Sequence, residues 1–301
     1  MPNSVRRNRE EKDHYIGLKS LEGYLNIPKV KQNIIILDGR VDLSTKTEEE
    51  QEAEYLNNIN SLPEDEAKYF ADKVSKAVCG NNNVDGVQFD IEPFSFTGEG
   101  GKVQGPGQKY FYDRIAENFS SAEFDCVNKD HPYGRFFSIF TFAKAITPDV
   151  KTMLTQYGNG YVMDSLYDLG PKPGGELNSV EDFKKYAKQE IQDMKALGVP
   201  YQFAIPAAAS AHEFETRAGK DAAGAGNQIE YVKSVIELIK ENVLNDPNFK
   251  GIGVWSYNQK MYWPKGGDEY TPASPSEESM NYLDSAMPAA LISSSTNHDE
   301  L

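Results

Sequence analysis

The sequence predicts an α/β protein, and most simply a (β/α)₈ barrel of the TIM type. Three observations lead to this prediction. Six short apolar segments have the composition of buried strands, helix-like segments separate them in single file, and the alternation continues almost to the end of a chain of 301 residues. Strands that alternate with helices in this way form βα repeats and a parallel sheet. A chain of this length fits a closed barrel better than an open sheet.

The predicted strands are short apolar runs, most of them bounded by turn residues. They cover residues 33–39, 84–92, 135–142, 161–170, 201–209 and 251–257. The predicted helices cover residues 43–58, 63–79, 108–119, 147–157, 179–197, 227–244 and 276–291. Capping residues support two of them, because Thr147 and Pro148 stand at the start of one helix and Gly198 follows the end of another.

The domain organisation follows from where this periodicity begins and ends. Residues 1–13 are charged and show no periodicity, so we expect a disordered arm there. Residues 14–291 are predicted to form one barrel domain, and the polar residues 292–301 a flexible tail.

Charge and composition exclude several classes of partner. The formal net charge is −15, with 46 acidic against 31 basic residues, whereas nucleic acids and anionic membranes bind basic surfaces. We therefore expect neither partner, and the balance fits a neutral ligand such as a sugar. No apolar run reaches the length of a membrane span, and no apolar stretch of a signal peptide follows the basic N-terminal residues.

Metal and cofactor sites are not expected either. The four histidines and two cysteines have no metal-ligand spacing, and the sequence leaves open whether Cys79 and Cys126 form a disulfide or remain two buried thiols. The glycine-rich loop 98–107 lacks the Walker spacing, because Val103 follows Lys102 where a magnesium-binding Ser or Thr should stand.

The most informative stretch is Val84–Pro93, which begins after the turn sequence Asn81-Asn82-Asn83. Its apolar residues alternate with Gln88, Asp90 and Glu92, so in a strand these three polar side chains share one face. A helix-like segment comes directly before, which suggests a sheet covered on both faces. Two acids and an amide inside such a sheet are costly to bury, which favours a functional role for them.

The segment Asp85-Gly86-Val87-Gln88-Phe89-Asp90-Ile91-Glu92 resembles the DGxDxDxE signature of family 18 glycoside hydrolases, the chitinases and endo-β-N-acetylglucosaminidases. Three further segments resemble later strands of that family in the same order. Residues 165–169 (SLYDL) are similar to its M-x-Y-D segment with Ser165 in place of Met, residues 203–206 to its seventh strand, and residues 253–256 to its eighth strand with the tryptophan. The resemblance covers roughly residues 33–260.

The resemblance implies a substrate-assisted, retaining mechanism in which the 2-acetamido oxygen of the sugar attacks. It implies that Glu92 is the general acid and base, and that Asp90 orients the acetamido group and stabilises the oxazolinium charge. Tyr167 would hydrogen-bond the acetamido carbonyl, with Asp168 also in the pocket, and Trp255 would lie under the sugar ring. The implied partner is an oligosaccharide or glycoprotein carrying N-acetylglucosamine.

One position departs from the signature, because Gln88 stands where the family has its middle acid. An Asp there could share a proton with Asp90, whereas Gln88 keeps the hydrogen bonding and removes the charge. The presence of both Asp90 and Glu92 favours an active enzyme with an altered pH response. The alternative is a lectin-like or inhibitory barrel that binds sugar or protein without cleaving it.

The two ends of the chain add further expectations. If residues 33–37 correspond to the family's third strand, only about thirty residues precede them, less than two βα units usually take, so the N-terminal part is shortened, degenerate or missing. The chain ends in His298-Asp299-Glu300-Leu301, which matches an ER-retrieval signal of the secretory pathway if the source is eukaryotic. The sequence leaves open whether it is such a signal or an acidic, disordered tail that happens to match. Asn118-Phe119-Ser120 matches a glycosylation acceptor on a predicted helix, and we expect a monomer.

Overall fold

The computed structural model describes residues 34–38, 59, 62–91, 94, 96, 106–166, 169, 180–205, 228–254, 281–282 and 285–286, with backbone alone for residues 34–38, 228 and 254. Within these residues the chain has an α/β fold in which strands and helices alternate. The strands are β1 Ile34–Asp38, β2 Gly86–Asp90, β3 Phe136–Phe140, β4 Gly160–Ser165, β5 Tyr201–Ile205 and β6 Phe249–Val254. The helices are α1 Glu64–Cys79, α2 Gly107–Phe119, α3 Pro148–Gln156, α4 Val180–Leu197 and α5 Gln228–Asn242, with a 3₁₀ turn at Ala143–Ala145.

The chain divides into two compact units, 1–141 with 145–162 and 142–144 with 163–301. In the first unit the strand order is β1-β2-β3, and both pairings are parallel. The Cα partners of Gln88 are Ile36 on one side and Ser138 on the other. This register places the middle of β2 between the middle residues of its two neighbours.

The two faces of β2 differ sharply. Val87 and Phe89 are buried, and the Phe89 ring contacts Phe111 and Tyr112 of α2 at centroid distances of 5.2 and 5.6 Å. We call this side of the sheet the helix face. The opposite side, which carries Gln88 and Asp90, is called the site face below.

The second unit continues from the end of β4 through α4, β5, α5 and β6, and β5 pairs with β6 in parallel. Helices α4 and α5 pack together, with the Phe183 and Tyr231 rings 5.0 Å apart. On the sheet, Tyr201, Phe203 and Phe249 form a cluster of buried rings. None of the described helices is both long and apolar enough to cross a membrane.

Six of the predicted strands and five of the predicted helices are present, with shifts at their ends. Strand β4 ends at Ser165, earlier than predicted, whereas β6 begins at Phe249, two residues before the predicted start. Residues 206–209, the predicted end of β5, lie outside the described residues. Phe249 extends β6 because its ring packs on the aromatic cluster of β5. The predicted helix 43–58, loop 98–105, arm 1–13 and tail 292–301 lie outside the described residues, as does most of the helix predicted at 276–291.

The predicted caps are confirmed in both places. The Thr147 side chain accepts a hydrogen bond from the Val150 amide, and Pro148 occupies the first turn of α3. Gly198 ends α4 with a φ of 64°, a left-handed conformation that a residue without a Cβ adopts at little cost.

Candidate functional site

The candidate site is built on the second half of β2, where the predicted alternation is present. Gln88 and Asp90 are partly exposed on the site face, whereas Val87 and Phe89 on the helix face are 0% and 1% exposed. The strand ends at Asp90, its carboxyl-terminal residue. The predicted site residues Glu92, Tyr167, Asp168 and Trp255 lie outside the described residues.

The neighbouring strands extend the polar character of this face. Ser138, the Cα partner of Gln88 on β3, is completely buried. The backbone of β1 places the Cα of Asp38 opposite that of Asp90. Ser138 is not among the predicted site residues, although a serine among the aromatic residues of 135–142 is a signal of a polar position in a buried strand.

Strand β4 contributes a tyrosine to the same region. Tyr161 is 7% exposed, and its hydroxyl lies against that of Ser138. Burial raises the pKa of Tyr161 to about 12, and the Ser138 hydroxyl opposes part of that rise. Gln88, Ser138 and Tyr161 therefore form a polar row, which we call the amide–hydroxyl row, directly below Asp90 on the site face.

An aromatic cluster packs beside the carboxyl end of β2. Phe94 and Phe96 lie just beyond the strand and contact Tyr112 of α2 at 5.9 and 6.1 Å between ring centroids. Burial raises the pKa of Tyr112 well above its usual range, and the negative charge of nearby Asp90 adds to the rise. These contacts anchor Phe94 and Phe96 against α2.

Asp85, the first acid of the motif, has a different role. It immediately precedes β2, so it lies roughly 16 Å from Asp90 along the strand. Its Oδ1 lies 3.1 Å from Nε2 of His131, and both side chains are buried. Gly86 is also structural, because a Cβ there would collide with the carbonyl oxygen of Phe136. The first two motif residues therefore join β2 to β3.

A disulfide supports this end of the sheet. Cys79 at the end of α1 is bonded to Cys126 in the segment after α2, with the Cα atoms 4.6 Å apart, which resolves the alternative that the sequence left open. Nearby, the buried Arg135 donates to the carbonyl oxygens of Cys79 and Asn81 at 3.2 and 3.4 Å. These bonds hold the connections below the site in place.

A buried acid pair in the second unit was not predicted. Asp164 of β4 is completely buried, and burial raises the pKa of its carboxyl well above the usual range. The neighbouring Glu190 carboxyl on α4 raises this pKa further through its negative charge. Glu190 Oε1 also accepts a hydrogen bond of 2.7 Å from the amide of Ala143. The raised pKa means that Asp164 keeps its proton to a higher pH than an exposed carboxyl does.

The glycosylation match at Asn118 is not supported by the fold. Asn118 is completely buried on α2, and its Nδ2 donates to Asp72 Oδ1 at 2.8 Å and to Ser75 Oγ at 3.0 Å. The side chain joins α2 to α1, so its nitrogen is not accessible in the folded protein.

No group of histidines, cysteines and acids suited to a metal ion occurs among the described residues. A polar surface groove between α1, α2 and α3 is lined by residues such as Lys68, Lys109 and Arg114 and contains none of the predicted site residues. No protein-family model, curated protein or solved structure matches this chain.

Proposed function

We propose that the protein is a glycoside hydrolase of the family 18 type, which cleaves β-1,4 bonds next to N-acetylglucosamine. The substrates would be chitin-type oligosaccharides or the chitobiose core of N-glycans. The observation that carries the proposal is β2, which presents Gln88 and Asp90 together on one face while Val87 and Phe89 pack into the core. Glu92 follows two residues later in the motif that resembles the family signature.

The chemistry of this motif requires the spacing that the sequence has. Glu92 would protonate the leaving oxygen and then activate water, and Asp90 would stabilise the positive charge that develops on the acetamido group. Tyr167 would hydrogen-bond the acetamido carbonyl and Trp255 would carry the sugar ring, with Asp168 beside them. The aromatic cluster around Tyr112 supports these roles, because it anchors the chain next to the strand end that would carry the acid.

We also propose that the strands belong to a (β/α)₈ barrel. Parallel pairing and the sequential strand order support this architecture. Within the second unit, Met163 Cε of β4 lies 3.4 Å from the position that a Cβ on Gly253 of β6 would occupy. Strands two apart in a flat sheet are about 10 Å apart, so this approach supports a curved sheet.

The disulfide between Cys79 and Cys126 supports the proposal that the protein works in the secretory pathway, because such bonds form and persist in oxidising compartments. No cofactor is needed for the proposed reaction, and we propose that the protein works as a monomer.

The second candidate function is a lectin or inhibitor of the same architecture. Gln88 is the observation that favours it, because the family's middle acid is absent. The presence of Glu92 favours the enzyme, because binding sugar requires no proton donor at that position.

The test is release of product from chitin oligosaccharides and from a glycoprotein with a chitobiose core. Wild type is compared with Glu92→Gln and with Glu181→Gln, a matched change of an exposed glutamate on α4. We expect wild type and Glu181→Gln to cleave, and Glu92→Gln to lose at least about a hundredfold in rate. Binding of the sugars by all three proteins without cleavage would establish the lectin instead.

A further inference from the structure

The amide–hydroxyl row supplies an inference that deepens the proposed function and rests on it. The residues of this row share one face of three consecutive strands. Gln88 and Ser138 are Cα partners in the parallel pairing of β2 and β3, so their side chains are neighbours about 5 Å apart at the backbone. Gln88 and Asp90 are two residues apart on the same strand and therefore share a face as well.

Tyr161 belongs to this face for two independent reasons. A Cβ on the preceding residue, Gly160, would press against Phe137 and Leu154, which shows that Gly160 faces the helices and Tyr161 the opposite side. The Tyr161 hydroxyl also lies against that of Ser138, which is on the site face. The row therefore runs from Tyr161 through Ser138 to Gln88.

Both hydroxyls have hydrogen-bonding capacity to spare. Ser138 Oγ and Tyr161 Oη are buried, and apart from their contact with each other neither has a hydrogen-bond partner in the described part of the chain. Buried hydroxyls are nearly always paired, because an unpaired one costs about 1–3 kcal/mol. The side chain of the adjacent Gln88 offers a carbonyl oxygen that accepts from a hydroxyl.

We propose that Ser138 and Tyr161 are positioning residues, which hold the carboxamide of Gln88 with its oxygen toward Ser138 and its N–H groups toward Asp90. The opposite orientation would place the amide oxygen against a carboxylate, and two acceptors repel each other. A serine hydroxyl donates to the amide oxygen, and the tyrosine hydroxyl donates to the serine oxygen in turn. The amide then donates to Asp90 and favours its ionised form.

This arrangement replaces the function of an acid at position 88. Where a second carboxyl would share a proton with Asp90, an oriented amide stabilises the charge of Asp90 without titrating itself. An ionised Asp90 is the form that stabilises the positive oxazolinium in the proposed mechanism. The row thus sets the protonation state of Asp90 from the strands below it.

The test is the titration midpoint of the Asp90 side-chain carboxyl, measured by carbon-13 NMR and assigned with Asp90→Asn. We expect Ser138→Ala and Tyr161→Phe each to raise the midpoint, Ser138→Ala by roughly one pH unit, the size of one hydrogen bond to a charged group. Ser234→Ala, which removes another buried serine hydroxyl, and Tyr231→Phe, which changes another buried tyrosine, are matched controls and should leave it unchanged.

A double-mutant cycle separates positioning from a structural effect. In a Gln88→Ala background, Ser138→Ala should no longer move the Asp90 midpoint, because the amide through which it acts is absent. An unchanged midpoint in both single variants, or a shift by Ser138→Ala that persists without Gln88, would overturn the proposal. If Ser138→Ala does not fold, Tyr161→Phe and Gln88→Ala provide the same cycle.

The NMR result does not depend on catalysis, so the two proposals fail separately. Wild type that cleaves no sugar while the midpoints shift as expected would overturn the enzyme and support the row. The other outcome is a wild type that cleaves, while neither Ser138→Ala nor Tyr161→Phe shifts the acid limb of its pH–rate profile. This outcome would refute the positioning role of Ser138 and Tyr161 and leave the proposed enzyme standing.

Discussion

Replacing Asp164 by asparagine is predicted to stabilise the protein at neutral pH. Asp164 is completely buried, and burial together with the Glu190 carboxyl raises its pKa well above the usual range. Asparagine has nearly the same shape, needs no proton, and its N–H groups donate to the Glu190 carboxylate. In the wild type the Asp164 carboxyl destabilises the folded state increasingly as the pH rises. The substitution removes this effect.

The sign and size of the effect follow from proton linkage. A carboxyl whose folded pKa is raised stabilises the fold fully below its unfolded pKa of about 4, and this stability is lost as the pH rises toward the folded pKa. Within that window, Asp164 lowers the free energy of unfolding by about 1.4 kcal/mol per pH unit. The free energy of unfolding of Asp164→Asn, relative to that of the wild type, should therefore rise by this amount per pH unit.

The assay is urea unfolding followed by circular dichroism at pH 4.5, 5.5, 6.5 and 7.5. The informative quantity is the slope, against pH, of the difference in free energy of unfolding between Asp164→Asn and the wild type. A constant packing effect of the substitution does not change this slope. The matched control is Asp149→Asn, which removes an exposed acid at the start of α3. Its free energy of unfolding should change with pH in the same way as that of the wild type. A difference between Asp164→Asn and wild type that is the same at all four pH values would refute the reasoning.

Three further predictions follow from the same structure. Replacing Cys79 and Cys126 together by serine should lower the free energy of unfolding by roughly 2–4 kcal/mol, because the disulfide closes a loop with a sequence separation of 47 residues. Reduction of the wild-type disulfide should produce the same loss, measured by urea titration. Equal midpoints for oxidised and reduced wild type would contradict this. Asn118→Ala should lower the free energy of unfolding by about 1–3 kcal/mol, because both hydrogen bonds of the side chain are lost. Mass spectrometry of protein made in a glycosylating host should find Asn118 unmodified. A glycan on this residue in folded protein would show that the buried geometry is wrong. Gln88→Asp should move the acid limb of the pH–rate profile to higher pH, because a second carboxyl beside Asp90 disfavours its ionised form; a profile identical to wild type would contradict the interpretation of the row.

The sequence predicts the elements well because its signals are local. Alternation in β2, the cap at Thr147 and the glycine after α4 each depend on a few consecutive residues, and each is present in the structure. The ends of strands are less local. Strand β6 begins at Phe249 because of ring contacts with β5, a tertiary effect that residues 249–257 do not encode by themselves.

Site features are predictable only where one strand carries them. Gln88 and Asp90 share a face because the period of a strand is two, so the sequence is sufficient. Ser138 and Tyr161 join them through pairing and contact across strands, which requires the register. The pair formed by Asp164 and Glu190 joins a strand to a helix, and no spacing along the chain indicates it.

The central claim is that the protein cleaves next to N-acetylglucosamine with participation of the acetamido group, and real-time proton NMR of wild type with chitin tetrasaccharide tests it most directly. The mechanism predicts that the first new reducing end appears as the β-anomer, because attack by the substrate's own oxygen and then by water retains the configuration. It also predicts no cleavage of an analogue with a hydroxyl in place of the acetamido group. A first product of α configuration, cleavage of the analogue at a similar rate, or no cleavage of any N-acetylglucosamine substrate between pH 4 and 8 would contradict the account.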